Sequence, residues 1–282
     1  MFEPIKINCN EKPIRLSLIS WINAIDELFS QKNYKRAYEL IQIALADFKD
    51  HPRLLDRWFI VNEKWNLPLI SGKFHLLIPE EGDFQFLQQC YGNNDFMEQF
   101  LPMGRKNQSN EAIFNALKHN KFPVAQFRAM HRIIKKNQAI DQTEPGSQYR
   151  ENLKSIGLVS LIDIQIAHRR AELLMGFPNE SDRQFASSVV MLLIFDFAFN
   201  QIGLQKLTSL VLANNTHSQR STEAIGFLRE GFKKKHFRHP KSYEWLDCYE
   251  NGLNEENFRT NSTIARISER ILKRNITLNN SM

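Results

Sequence analysis

Residues Ile156–Phe177 read IGLVSLIDIQIAHRRAELLMGF, and the reading of this stretch decides the fold. Two apolar runs, Ile156–Ile166 and Ala171–Phe177, are joined by the tight polar link Ala167–Arg170. Runs of that length with β-branched content predict two strands forming a hairpin. Downstream, a helix is expected from about Asp182 to Ile202, apolar nearly all round and therefore buried on both sides, with Gly203 ending it. Leu207–Ala213 reads as a further strand. A short helix over Thr216–Ile225 follows, where Thr216-x-x-Gln219 has the spacing of a capping box. Phe227–Phe237 and Tyr243–Tyr249 predict a closing hairpin around Pro240, and beyond about Phe258 comes a basic, moderately amphipathic helix, Ile264–Leu272.

Upstream of the opening stretch, Lys135–Ser155 is a polar interruption containing Glu144-Pro145-Gly146-Ser147, a mobile lid or a disordered insertion. Val124–Ile134 alternates, with Phe127, Ala129, His131 and Ile133 on one side and Gln126, Arg128 and Arg132 on the other, which predicts a strand. Phe74–Ile78 is a short β-type run ended by Pro79, and helical pieces are expected across Phe84–Leu117. The first sixty-odd residues read as helical. Leu18, Trp21, Ile22, Ile25, Leu28 and Phe29 form one stripe, and Tyr34, Ala37, Tyr38, Ile41, Ala44, Leu45 and Phe48 form another. Small Ala37 and Ala44, one heptad apart, let two helices approach closely. Pro52 closes the pair, and a tryptophan-rich stretch, Arg57–Leu67, leads to Pro68. The expected organisation is a helical segment over 1–67, a mixed α/β (α+β) domain over 68–258 and a basic helix and tail over 259–282.

The chain has 282 residues, 42% hydrophobic and 24% charged, which is the balance of an ordinary globular protein. Three cysteines, Cys9, Cys90 and Cys248, lie far apart with no CxxC pair, so a disulfide framework and a cysteine zinc site are both unsupported. Reduced thiols in a cytoplasm are the expectation. The N-terminus carries charges and a proline where a signal peptide needs an apolar core, and the most apolar run, Val189–Phe199, is shorter than the roughly 20 residues a bilayer requires. No membrane partner is expected. The formal charge of +6 favours anionic partners in general, and the densest basic cluster is Lys233–His239. A solvated basic hairpin explains that cluster more simply than a nucleic-acid patch does. His236-x-x-His239 has ligand-like spacing without a third ligand nearby, so no metal is expected.

GxxxxGK[ST], GxGxxG after a strand, HExxH and GxSxG are all absent. What the second half does contain is an ordered series: IGLVSL, RRAELLMGF, FAFNQIGLQKL, the Asn215-x-x-Ser218 pair and AIGFLREG. In that order they resemble the GNAT acetyltransferase superfamily, and within it the branch that includes the ribosomal-protein N-terminal acetyltransferases. The resemblance spans roughly Leu69–Leu253. It implies a mostly antiparallel, partly splayed sheet flanked by helices, acetyl-CoA as cosubstrate, and N-acetylation of a primary amine by direct attack on the thioester. The acceptor would be a small molecule, such as an amino sugar, or a protein N-terminus. The N-terminal part resembles a tetratricopeptide helical hairpin, a cap or a module for a protein partner.

The same resemblance implies site residues. Coenzyme A carries a pyrophosphate, a group that helix N-termini bind through unpaired N–H groups and the helix dipole. Arg183, Ala186, Ser187 and Ser188 stand where the family has its Arg/Gln-x-x-Gly-x-Gly/Ala loop, with Ala186 replacing the glycine and Ser188 the last small residue. Read simply as a helix start, the same stretch has Ser181 or Asp182 as N-cap. Main-chain groups of Leu173, Leu174 and Met175 would hold the pantetheine arm, Asn215 would hydrogen-bond it, and Ser218 would accompany Asn215. Glu172, between apolar residues on the central strand, is the candidate base, or else a structural partner of Arg169 or Arg170; Asp163 and His168 are second choices. Thr222 occupies the position where many family members carry an acid tyrosine, which leaves Ser218, Ser221 or a water to protonate the thiolate. Two other readings remain open: a non-catalytic binding protein on a degenerate GNAT fold, suggested by Ala186, Ser188 and Thr222, and a nucleic-acid binder using the basic surface.

Overall fold

The computed structural model describes residues 17–100, 109–111, 113, 129–138, 153–239 and 241–278. Cys9, most of the 101–128 region and most of the 135–155 insertion lie outside them. Two compact units divide the chain, residues 1–62 and 63–282.

In the first unit, α1 (Leu18–Ser30) packs on α2 (Tyr34–Asp47), which packs on α3 (Pro52–Val61). Ser17 and Asn33 cap the first two helices by accepting the N–H of Ser20 and Arg36. Ala37 and Ala44 are fully buried, as close approach of the helices requires. Pro52 does not close a hairpin; it opens a third helix. A proline at the first helical position gives up an N–H that would be unpaired there anyway, and its fixed φ suits the helix.

The second unit is built on one eight-stranded sheet in the order β1-β2-β3-β4-β5-β6-β8-β7. Its strands are β1 (Leu69–Ser71), β2 (Phe74–Leu77), β3 (Met130–Asn137), β4 (Leu153–Gln165), β5 (Arg170–Gly176), β6 (Lys206–Leu212), β7 (Leu228–Arg238) and β8 (Trp245–Asn254). Every pairing is antiparallel except β5 with β6. The quoted stretch is the β4–β5 hairpin, with Leu161 opposite Leu173 and Ile162 opposite Glu172. Helices α4 (Phe84–Gly92) and α5 (Asn94–Phe100) belong to a core cluster with Ile133, Leu158 and Leu174.

Of the polar side expected over Val124–Ile134, Gln126 and Arg128 lie outside the described residues, and the remaining member is buried. Arg132 is fully buried, its guanidinium donates to the Trp65 carbonyl, and burial pulls its pKa down to about 10. An alternating pattern marks a half-exposed strand only when one face meets water, and here both faces are covered. The strand also runs on to Asn137, three residues into the stretch read as a polar interruption; Lys135 meets Asp83 at 2.5 Å there.

The long apolar helix is α6 (Glu180–Phe195), continued by a π-turn over Asp196–Gln201 and ended near Gly203 at φ +70°. Glu180–Gln201 is long and apolar enough to cross a membrane by composition, but Val189–Phe195 are core residues of this unit. After it come β6, α7 (Thr216–Ala224), the β7–β8 hairpin, α8 (Glu255–Thr260) and α9 (Ser262–Leu272). Residues 259–278 are anchored in this unit: α9 packs on α6, and Arg274 reaches the buried Asp196.

Gly157 is required where β4 meets β5. A Cβ there would lie 2.7 Å from the Gly176 carbonyl oxygen, which is main chain and cannot swing aside. Gly157→Ala is expected to destabilise the protein by about 1–3 kcal/mol, measured by denaturant unfolding; an unchanged midpoint would show that the two strands yield.

Candidate active site

Strands β5 and β6 pair at only three positions, Arg170 with Lys206, Ala171 with Leu207 and Glu172 with Thr208. Beyond Glu172 and Thr208 they part. Leu173–Gly176 and Ser209–Leu212 then face each other across a cleft of about 450 Å³ instead of a ladder. Parallel strands that separate leave alternate main-chain N–H and C=O groups unpaired on the facing edges, ready for an amide-rich ligand.

One end of the cleft reaches α6. The helix does not start cleanly: Asn179 precedes it without a side-chain cap, and the backbone is non-helical at Gln184 (φ −23°, ψ −106°). Neither Ser181 nor Asp182 is the N-cap; Asp182 instead pairs with Lys154 at 3.1 Å. The break ends the first turn and starts a second helical segment at Phe185, so fresh N–H groups open inside the helix, beside the cleft. Arg183 and Ser187 line it, and the Ser187 hydroxyl donates to the Gln184 carbonyl. Ala186 is buried, and neither it nor Ser188 is part of the lining.

The opposite wall is the start of α7. Asn215, not Thr216, is its N-cap: Asn215 Oδ1 accepts the Ser218 N–H at 3.0 Å. Asn outranks Thr at this position. The expected box with Gln219 is not made because that side chain is buried and pairs reciprocally with Asn251 on β8, at 2.7 and 3.0 Å. Asn215, His217, Ser218, Ser221 and Thr222 all face the cleft. His217 was missed in the sequence, where a histidine in a helical first turn carries no periodic signal.

Helix α5 closes the cleft from the other side. The rings of Phe96 and Phe100 stack 5.2 Å apart and lie against Gly176, where any Cβ would come within 2.9 Å of them. Nothing in the local pattern of NDFMEQF announced this wall; it exists because Gly176 leaves room for it.

Glu172 sits at the apex, outside the main lining. Register places its side chain on one sheet face with Thr208, Leu210, Glu250, Cys248 and Lys233. Among the described residues no cation forms an ion pair with it: Arg170 takes Asp163 at 3.7 Å and Lys233 takes Glu250 at 3.0 Å. The structural alternative, an ion pair with Arg169 or Arg170, is thus not formed. Burial, with the Asp163 charge adding to it, pushes the Glu172 carboxyl up to about 7, against the pull of Lys233 and a donated Leu210 N–H. Burial likewise pushes the neighbouring Cys248 thiol up to about 11, which makes it a poor nucleophile.

No protein-family model matches this sequence, and no curated protein is similar to it. Solved structures do match. The spermidine N-acetyltransferase of Vibrio cholerae in complex with CoA and spermine superposes with a TM-score of 0.54 at 19% identity, covering 66% of this chain and 97% of that one. An acetyltransferase (GNAT family) from Bacillus anthracis gives 0.52 at 20% identity, covering 67% and 99%. The second unit therefore has the GNAT acetyltransferase fold.

Proposed function

We propose that this chain is an acetyl-CoA-dependent N-acetyltransferase of a primary amine, either a small metabolite or a protein N-terminus as in the ribosomal-protein branch. The observation that carries this reading is the parting of β5 and β6 after Glu172 and Thr208, in a cleft that runs to the break at Gln184. A pyrophosphate fits the new amides at that break with Arg183 and Ser187 beside them. An extended pantetheine arm fits the open edges of Leu173, Leu174 and Met175, with Asn215 at the rim. The amine nitrogen forms its bond to the thioester carbonyl carbon as the carbon–sulfur bond breaks. Glu172 takes the amine proton, and a hydroxyl of the Ser218–Ser221 turn, or water, protonates the thiolate. The 68–258 domain carries the reaction in a reducing, cytoplasmic compartment. The N-terminal helices offer a surface for a protein partner.

Thermal-shift titration with coenzyme A tests the donor side. Ligand at a hundredfold its dissociation constant is expected to add about 2.7 kcal/mol; no shift at millimolar coenzyme A would overturn the reading in favour of a non-catalytic protein. Asn215 separates two roles. Asn215→Ala is expected to cost about 1 kcal/mol of stability through the lost cap, whereas Asn215→Asp keeps the capping oxygen and loses the amide donor. Both are expected to weaken coenzyme A binding, and wild-type affinity in the aspartate variant would remove Asn215 from the site.

A further inference from the structure

The basic cluster Lys233–His239 runs along β7, the outermost strand of the sheet, and lines no part of the cleft. The hairpin that β7 forms with β8 also carries large rings into solvent: Phe232, Tyr243 and Trp245 are 46%, 64% and 57% exposed. Solubility needs only the charges outside. Rings left in water together mark a contact surface.

These rings stand on one sheet face. Trp245 is opposite Arg238 and Tyr249 is opposite Phe232, and the two pairs are four residues apart along β8, about 14 Å. A guanidinium lies over a ring at each place: Arg238 is 5.0 Å from the Tyr243 ring and 5.9 Å from that of Trp245, and Arg229 is 4.2 Å from that of Tyr249. Between the two places β7 bulges, so that Lys234, Lys235 and His236 have only Asp247 opposite them. The bulge is fixed by the Lys235 N–H, which donates to Asp247 Oδ1 at 2.6 Å. Tyr243 is held at φ +61°, a conformation that is costly for a bulky side chain and keeps its ring at the hairpin tip.

The charges of this hairpin divide into two sets. Arg229, Lys233 and Lys241 are answered by Glu223, Glu250 and Glu98, the last of which also meets His239. Lys234, Lys235 and Arg238 are exposed, and among the described residues no carboxylate pairs with them. The Arg238 Nε donates to the Tyr243 carbonyl at 3.2 Å, which leaves its two terminal nitrogens to donate in the guanidinium plane.

We infer that this face of the β7–β8 hairpin binds single-stranded nucleic acid. Bases stack on the open rings of Trp245 and Phe232, and the phosphates between them meet Lys234, Lys235 and Arg238. Any base has a face to stack, whereas a duplex hides those faces in its own stack. A flat anionic membrane fits less well, because Asp247 lies between the ring pairs and exposed Glu244 adjoins Trp245. The inference does not depend on the N-acetyltransferase reading.

The test titrates the full chain with oligo-U and oligo-dT of about ten nucleotides, labelled for anisotropy and unlabelled for tryptophan emission. At least one is expected to bind, with affinity falling steeply as salt rises from about 50 to 200 mM. Trp21, Trp58 and Trp65 are buried, so Trp245 is the tryptophan a base can reach. Quenching is therefore expected in the wild type and lost in Trp245→Phe, which keeps a ring and still binds. Trp245→Ala is expected to weaken binding about five- to a hundredfold, the scale for one base–ring stack. Lys234→Gln with Lys235→Gln is expected to lower the slope of log affinity against log salt by about 1.4, two phosphate contacts on a single strand. Unfolding midpoints check that each variant is folded, and if Trp245→Ala is not, the phenylalanine and glutamine variants decide. No binding of either oligonucleotide at about 50 mM salt, quenching that persists in Trp245→Phe, or wild-type affinity in a folded Trp245→Ala overturns the inference. Duplex RNA held as tightly as the single strand overturns it as well, and so does capture on phosphatidylserine vesicles without oligonucleotide binding, which would make the hairpin a membrane surface.

Discussion

Glu172→Gln is expected to lower kcat by about a hundred- to ten-thousandfold, the range attributed to a positioned general base, while coenzyme A still binds. Glutamine fills the same space at the apex of the cleft and accepts the Leu210 N–H, but takes no proton. In the wild type the carboxyl, pushed up to about 7 chiefly by burial, must be ionised to act. kcat/KM is therefore expected to rise with pH up to about 7 and level off above it, and the glutamine variant loses that limb. Stability moves the opposite way. A carboxyl whose folded pKa lies above its ordinary value of 4.5 is favoured in its neutral form by the fold, so its contribution is full below 4.5 and is lost as pH rises through 7. The variant, neutral throughout, is expected to be more stable than the wild type at pH 8 and about equal at pH 4. Equal turnover, or a stability difference that does not grow with pH, removes Glu172 from the role of base.

Asp196→Ala carries a large expected loss of stability, about 2–3 kcal/mol, the scale for hydrogen bonds to a buried charged group, because the Arg274 it leaves behind is half exposed and meets water. The carboxylate is buried in the π-turn and receives Arg274 at 2.7 and 3.1 Å, Asn200 at 2.8 Å and Gln201 at 3.0 Å. Burial alone would push its pKa up, but these donors outweigh it and hold the group below the ordinary carboxylate value. A depressed carboxylate stabilises above its unfolded value and loses that contribution as pH falls through the folded one. The wild type is therefore expected to lose stability on acidification below about pH 4 more steeply than the alanine variant. The same cluster fastens the chain end: Asn200 donates to the Ile276 carbonyl, and Arg259 donates to Asn200 Oδ1 and the Thr277 carbonyl. Removing Asp196 is thus expected to free residues 273–278 to exchange amide hydrogens. A loss below about 1 kcal/mol would show that the network contributes little.

The clearest local signals were the apolar runs around Ala167–Arg170, the β4–β5 hairpin, and the continuous hydrophobicity of Val189–Phe199, the core helix. Such signals live within a window of a dozen residues, because side-chain period and run length are properties of the local chain. The order of IGLVSL, RRAELLMGF, Asn215-x-x-Ser218 and AIGFLREG added the expectation of a splayed sheet. What local pattern could not give is where two strands stop pairing. Nothing in RAELLMG or KLTSLVL marks Glu172 and Thr208 as the last partners. That point follows from β6 taking β8 on its other edge and from α5 lying over Gly176, both contacts between segments distant in sequence. The Gln184 break, the burial of Arg132 and the meeting of Glu98 with His239 are of the same kind. A residue's charge and shape are written in the chain, but its solvation and its partners are set by neighbours that only folding brings near.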